Sequence, residues 1–203
     1  MTTASPTLVA AETGMLTNMP PNRYTRTAMV LHWLVALLIL SNVILIYLVE
    51  YVPDERVRWV IDTHKSTGIT VLGLAILRLL WRFAHKPPEL PGSYARWERR
   101  ASSVAHGLLY SLIFIIPLSG WLHDSAWKNA AAFPLKLYGL VPWPRIGWIM
   151  EMDPATRLQL HGAFGALHEY AGYVLFALLA LHIAGALKHQ FIDKQKQLQR
   201  MWS

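Results

Sequence analysis

The sequence predicts an all-α integral membrane protein, a four-helix bundle with both termini in the cytoplasm. Three observations predict it. The chain has 15% charged and 54% hydrophobic residues, whereas an ordinary soluble domain carries roughly a quarter charged residues to coat its surface. Residues 28–49, 101–122 and 170–187 contain no Asp, Glu, Lys or Arg, and about 20 apolar residues cross a 30 Å hydrocarbon core. The cations sort into two sets. Twelve lie in 23–26, 78–100 and 188–200, and seven lie in 56–65 and 128–157. The positive-inside rule places the richer set, and with it both ends of the chain, in the cytoplasm. The net charge of +7 therefore reads as topology and not as nucleic-acid binding.

The elements follow in order. Residues 1–22 form a polar tail with Pro20 and Pro21, expected to be flexible and separate from a membrane domain over 23–203. They lack a basic region followed by an apolar one, so no cleavable signal peptide is expected. The span at 28–49 then serves as its own insertion signal. A second segment, about 61–83, is apolar but carries Lys65 and Arg78, and its charge-free core at 66–77 is too short to cross alone. The two-sided sorting of cations requires it to cross, so those cations have a purpose inside the membrane. A Pro-rich loop at 84–97 leads to the third span at 101–122. The connection from 123 to about 160 is the longest and has room for a short interfacial helix, with Trp127, Trp143 and Trp148 suited to the lipid–water boundary. Asp153-Pro154 reads as an N-cap with Pro in the first turn. The fourth span is 170–187, and no internal repeat is visible.

There is no Cys, which excludes disulfides, iron–sulfur clusters, Cys-bound zinc and Cys nucleophiles. Any metal must be held by His, Met or carboxylate. Of nine His, five fall in or at the ends of the spans: His32, His64, His106, His168 and His182. A lone buried His is most often a satisfied core residue, so the constellation carries the argument. His168 and His182 are fourteen residues apart. On a helix that interval returns to within about 40° of the same face and covers about 21 Å. One helix thus presents two imidazoles to the bundle interior, one near each membrane face. That arrangement suits two haems stacked across a bilayer, each needing a second axial ligand from another helix at matching depth. His32 lies six residues after Arg26 and His182 six before Lys188, while His64 and His168 share the outer level. Depth therefore pairs His32 with His182 and His64 with His168. The residue four beyond each is small, Ala36, Gly68, Gly172 and Ala186, on the face where a flat macrocycle would lie. Small residues also simply help membrane helices pack.

His106 lies six residues after Arg100, at the depth of the inner pair, and the arithmetic leaves it open as a lower ligand, a hydrogen-bonding partner of a propionate, or a quinone-pocket residue. Bulky Tyr110 four residues on disfavours it as a ligand. His85, His123, His161 and His189 read as polar interface residues, with His161 and His189 the best candidates for more. Arg78 is fourteen residues after His64, on the same face one level lower. A buried guanidinium wants an anion, which a haem propionate would supply; snorkelling to the interface is the alternative. Lys65, beside His64 at the outer mouth, is placed to play the same part at the outer haem or to draw an anionic donor toward it.

These residues resemble the bacterial cytochrome b561 family, small four-span dihaem membrane proteins. The matching strings are RYTRTAMVLHWLVALLIL, THKSTG, LRLLWR, PPELP, WERR, PLSGWL, LHEYAGY and LHIAGALKHQFID, together covering the chain from about Arg23 onward. The resemblance implies two b-type haems with bis-His ligation. Residue by residue it carries over His32 with His182 and His64 with His168, in agreement with depth. It further implies a multi-pass protein of the bacterial inner membrane that moves electrons between the quinone pool and a donor or acceptor at the membrane surface. Some members resemble superoxide oxidases, which pass electrons from superoxide to ubiquinone. On that reading Lys65 is the residue that serves the donor. A non-catalytic cytochrome subunit for a partner oxidoreductase is the alternative, and homo-oligomerisation is left open. A His-lined metal transporter is the third reading; it fares worst, since the polar groups sit at two levels with no polar path between them.

Overall fold

The computed structural model describes residues 23–89 and 94–202. The N-terminal tail at 1–22 and part of the Pro-rich loop lie outside the described residues. Four long helices dominate: α1, Arg26–Leu48; α2, Asp54–Ala84; α3, Arg96–Ala126; and α5, Pro154–Leu187. A four-residue helix α4, Gly147–Met150, precedes α5. All four long helices are long and apolar enough to cross a membrane. Leu37, Leu40, Ile44, Leu80 and Leu181 point outward, as lipid-facing side chains must.

The caps are written in the sequence. Thr25 Oγ1 accepts from the Ala28 amide at 3.3 Å. Asp153 Oδ1 accepts from the amides of Ala155 and Thr156, both at 3.0 Å, beside Pro154 at the first turn. α5 begins about four turns before the uncharged window at 170–187, because a helix continues past the hydrocarbon layer once Arg157 and Glu169 can reach polar surroundings. α2 likewise starts at Asp54. His64 and His168 therefore lie well inside their helices rather than at the ends.

The long connection forms a hairpin that the sequence did not announce. β1, Lys136–Leu137, pairs antiparallel with β2, Val141–Pro142. Its turn holds Tyr138 at φ 50° and Gly139 at φ 74°. A non-glycine side chain in that region is costly. Two bonds to α2 hold Tyr138 there: its amide donates to Ser66 Oγ at 2.9 Å and its hydroxyl meets Thr70 Oγ1 at 3.0 Å.

α3 packs mainly on α5, α1 on α2, and α2 on α3. The pairs α1–α5 and α2–α5 are not among the closely packed ones. A layer of Leu112, Ala171 and Leu175, with Ile39, Leu109, Ile116, Leu178 and Leu179 against it, fills the middle of the bundle. At the end where α1 begins and α5 finishes, residues 197–202 fold back as a strap. Trp33 Nε1 donates to the Met201 carbonyl at 2.8 Å, Tyr24 N to the Arg200 carbonyl at 3.2 Å and Tyr94 Oη to Gln197 Oε1 at 3.0 Å.

Candidate functional site

Two levels of histidines face each other across the gaps that the helix packing leaves. At the loop end, His64 of α2 and His168 of α5 have ring centroids 6.0 Å apart and planes at 76°. At the terminal end, His32 of α1 and His182 of α5 are 6.4 Å apart at 72°. An iron held from both sides at metal–nitrogen distances of about 2.0 Å sets the two imidazole centroids about 6 Å apart. Both pairs match that span. Each lies between helices that do not pack closely, which leaves room for a flat ligand. Gly172, one turn after His168, has nothing within 4 Å of where a Cβ would stand. The residues present fit haem.

The loop-end rings are oriented from outside. His64 Nδ1–H donates to the Asn42 carbonyl on α1 at 3.1 Å, and His168 Nδ1–H donates to the Ile116 carbonyl on α3 at 2.8 Å. With Nδ1 committed as the donor, Nε2 keeps the lone pair that a metal takes. The His168 ring also presses on Gly120, where a Cβ would lie 3.0 Å from Cε1 and 3.1 Å from Nδ1. Neither Asn42 nor Gly120 was singled out from the sequence. The contact uses the Asn42 backbone carbonyl, which no side-chain pattern announces.

The terminal end holds a third ring. His106 lies 5.2 Å from His182, centroid to centroid, short of the span that one iron sets. Its Nδ1–H donates to the Ser102 carbonyl at 2.7 Å. Arg78 Nε donates to Tyr110 Oη at 3.0 Å, while its buried NH1 has no partner among the described residues. A charged nitrogen with one empty donor in an apolar bundle suits an anionic group such as a propionate. Tyr110, read above only as bulk, is thus the residue that steers Arg78, and Arg82 also stacks over its ring.

Lys65 is ion-paired. Its Nζ lies 2.7 Å from Asp124 Oδ1 and 3.6 Å from Asp62 Oδ1. Arg145 Nε grips the other Asp124 oxygen at 2.7 Å and its NH1 donates to the carbonyls of Ala130 and Phe133 at 2.6 Å each. Asp124 therefore ties the hairpin connection to α2 and α3, and Lys65 carries a mostly balanced charge.

The remaining histidines have local partners. His123 and His161 stack at 3.8 Å and each donates Nδ1–H to the other's carbonyl, clasping α3 to α5. Gly165 makes room, since a Cβ there would lie 2.9 Å from His123 Nδ1. His85 stacks on Trp81 at 3.9 Å. His189 stacks on Tyr94 at 4.1 Å and lies with Glu98 and Asp193 in a group of metal-ligand type. The Lys188 ammonium already sits among them, 2.5 Å from Glu98 and 2.9 Å from Asp193. Its hydrogen bond holds the Asp193 carboxyl below the usual carboxylate range.

Four spanning helices with histidines paired across the interior define the class of membrane cytochromes. Comparison with known proteins gives the family. Residues 23–203 match the family model described as prokaryotic cytochrome b561. The chain is 32% identical to "Cytochrome b561 homolog 2" of Escherichia coli (strain K12), over 89% of this chain and 92% of that protein. It is 25% identical to "Probable superoxide oxidase CybB" of Yersinia pestis, over 88% and 95%, and 27% identical to "Cytochrome b562" of Cereibacter sphaeroides, over 88% and 94%. The chain belongs to the prokaryotic cytochrome b561 family, multi-pass membrane electron-transfer proteins that bind b-type haem.

Proposed function

We propose that this chain holds two b-type haems and passes electrons from superoxide at the loop end to ubiquinone in the bilayer. The observation that carries it is the pair of imidazole gaps, 6.0 and 6.4 Å, each matching one iron. His64 and His168 hold one haem and His32 and His182 the other. Bound haem supplies a reversible one-electron couple. The likeness to a relative named as a probable superoxide oxidase supports the donor. The cation distribution supports termini in the cytoplasm of a bacterial inner membrane, with the loop end in the periplasm.

The residues do four things on this reading. The Asn42 and Ile116 carbonyls fix the tautomers of the loop-end ligands. Arg78, steered by Tyr110, holds a propionate of the terminal-end haem. The layer at Leu112, Ala171 and Leu175 keeps water and ions from passing between the levels. Arg58, Lys65 and Arg145, three cations around the two carboxylates of Asp62 and Asp124, leave a small positive balance that draws a small anion. Each superoxide gives up one electron and leaves as dioxygen. Ubiquinone takes two electrons and two protons, so two superoxide ions are consumed for each quinol formed.

One observation favours a second reading, a relay for a partner oxidoreductase. The hairpin connection exposes Phe133, Tyr138, Leu140 and Val141 at the loop end, and Lys65 is largely neutralised there. One experiment separates the two. The purified protein is analysed for haem per chain, then mixed with superoxide and a short-chain ubiquinone. Two haems per chain, fast reduction by superoxide and reoxidation by quinone are expected. Reduction only when a protein partner is added supports the relay, and fewer than two haems refutes the ligand assignment.

A further inference from the structure

Between α2 and the hairpin lies a cavity of about 460 Å³, the size of a small-ligand site. Trp59, Asp62 and Thr63 line it from α2, and Lys136, Tyr138 and Gly139 from the hairpin. These α2 residues lie about 100–200° around the helix from His64, so the cavity is separate from the histidine pairs. Depth places it at the edge of the hydrocarbon. His168 lies seven residues from Leu175 of the middle layer, which is about 10.5 Å along α5. His64 shares the level of His168, and Thr63 and Trp59 lie one and five residues further out, at about 12 and 18 Å from the middle. A core about 30 Å thick ends at about 15 Å. The cavity therefore straddles the level of lipid headgroups, where exposed Trp59 and Tyr138 belong.

The lining offers several acceptors and one exposed cation. Asp62 has ion pairs with Arg58 at 3.4 Å and Lys65 at 3.6 Å, both longer than a good hydrogen bond. Lys65 instead closes on Asp124 at 2.7 Å. Thr63 Oγ1 donates to the Trp59 carbonyl at 2.7 Å, which leaves its lone pairs to accept. The aromatic rings of Trp59 and Tyr138 also attract a cation. Lys136, exposed on β1, has no ion pair among the described residues. The backbone is bent to form the hairpin wall: Tyr138 has φ 50° and its amide is held by Ser66 Oγ. Left-handed backbone at a non-glycine residue clusters at ligand clamps.

We propose that this cavity seats the head of one aminophospholipid of the surrounding bilayer. Its primary ammonium donates to Asp62 and Thr63 beside the two aromatic rings, and its phosphate meets Lys136. A phosphate head without an amine leaves the Asp62 carboxylate short of a donor. A trimethylated head carries the positive charge but has no N–H to donate. Both a phosphate and a primary ammonium are therefore needed on one molecule, and its acyl chains hold it at this depth. The seat is independent of what the histidines hold.

The test uses the full-length, haem-loaded protein, stripped of lipid in detergent. It is titrated with dioleoyl phosphatidylethanolamine, phosphatidylcholine or phosphatidylglycerol, and bound lipid is counted by native mass spectrometry. One phosphatidylethanolamine per chain should bind about tenfold more tightly than either of the others, the factor that one hydrogen bond to a charged group sustains. Asp62→Asn should abolish that preference, and Lys136→Gln should weaken the tightly bound phosphatidylethanolamine. Haem content matching the unsubstituted protein reports that each variant is folded; should Asp62→Asn lose haem, Lys136→Gln, on an exposed strand position, carries the test. Equal retention of the three lipids, or tight binding unmoved in a variant that keeps its haem, would overturn the proposal. Displacement of the lipid by equimolar glycerophosphoethanolamine would also overturn it, because a free head would then be the occupant.

Discussion

Gly120→Ala tests the loop-end site without touching a ligand. The new Cβ would stand 3.0 Å from His168 Cε1 and 3.1 Å from Nδ1, where carbon atoms prefer about 3.5–4.0 Å. The ring must therefore retreat by about half an ångström. It cannot do so freely, because Nδ1 is held 2.8 Å from the Ile116 carbonyl. Overpacking of this kind costs about 1–3 kcal/mol, which corresponds to roughly a 5- to 150-fold weaker hold on the loop-end haem. The assay is haem per chain with the reduced-minus-oxidised spectrum, followed by haem transfer to an apo-globin acceptor. The loop-end haem should leave faster while the terminal-end haem is retained. Gly172→Ala is the complementary variant. Nothing lies within 4 Å of its Cβ in the chain alone, so it should leave the fold unchanged and weaken only the haem-loaded state. Gly120→Ala with full haem content, an unchanged spectrum and unchanged release would show that contact with Gly120 does not seat His168.

Other expectations follow from the same contacts. His64→Ala and His168→Ala should each halve haem content by removing the same spectral component, and His32→Ala and His182→Ala should each remove the other; His106→Ala halving it while His32→Ala does not would reassign the terminal-end pair. Arg78→Leu should reduce retention of the terminal-end haem, with Tyr110→Phe a weaker version, as read from haem stoichiometry after purification; full retention in both would mean that Arg78 only snorkels. Lys65→Glu places two carboxylates around Asp124 and should slow reduction by superoxide, with a wild-type rate that falls as ionic strength rises; a rate indifferent to both would remove Lys65 from the donor's path. Asp193 is held below the ordinary carboxylate value of about 3.9. A lowered folded pKa contributes stability above the ordinary value and loses it as pH falls through the folded one, so carboxypeptidase should reach the strap faster only in acid. Equal digestion at pH 3 and pH 7 would refute that.

The spans were legible because lipid imposes a composition on them, and the paired depths of the histidines were legible because 1.5 Å per residue converts spacing into height. Helix limits were less so. An uncharged window ends at Glu169, but α5 does not, since a helix needs apolar side chains only where it meets lipid. The hairpin at 136–142 left no periodic signal, as its strands have two residues each; bonds from Tyr138 to Ser66 and Thr70 hold it. The role of Lys65 depended on Asp124, 59 positions away in sequence. Pairing between distant segments is the part that local pattern does not contain. The same holds for the backbone carbonyls of Asn42 and Ile116, which every residue possesses and only the fold directs.

The apolar layer between the two histidine levels has an electrical consequence. Fourteen residues of α5 separate His168 from His182, about 21 Å of a roughly 30 Å insulating core. An electron that crosses this interval traverses about two thirds of the membrane voltage. In the proposed orientation, with the termini on the negative side, each 100 mV then opposes the crossing by about 1.5 kcal/mol, two thirds of the roughly 2.3 kcal/mol for a full charge transit. The bundle behaves as a capacitor plate pair with a resistive link, and its turnover in vesicles should slow as the interior is made more negative.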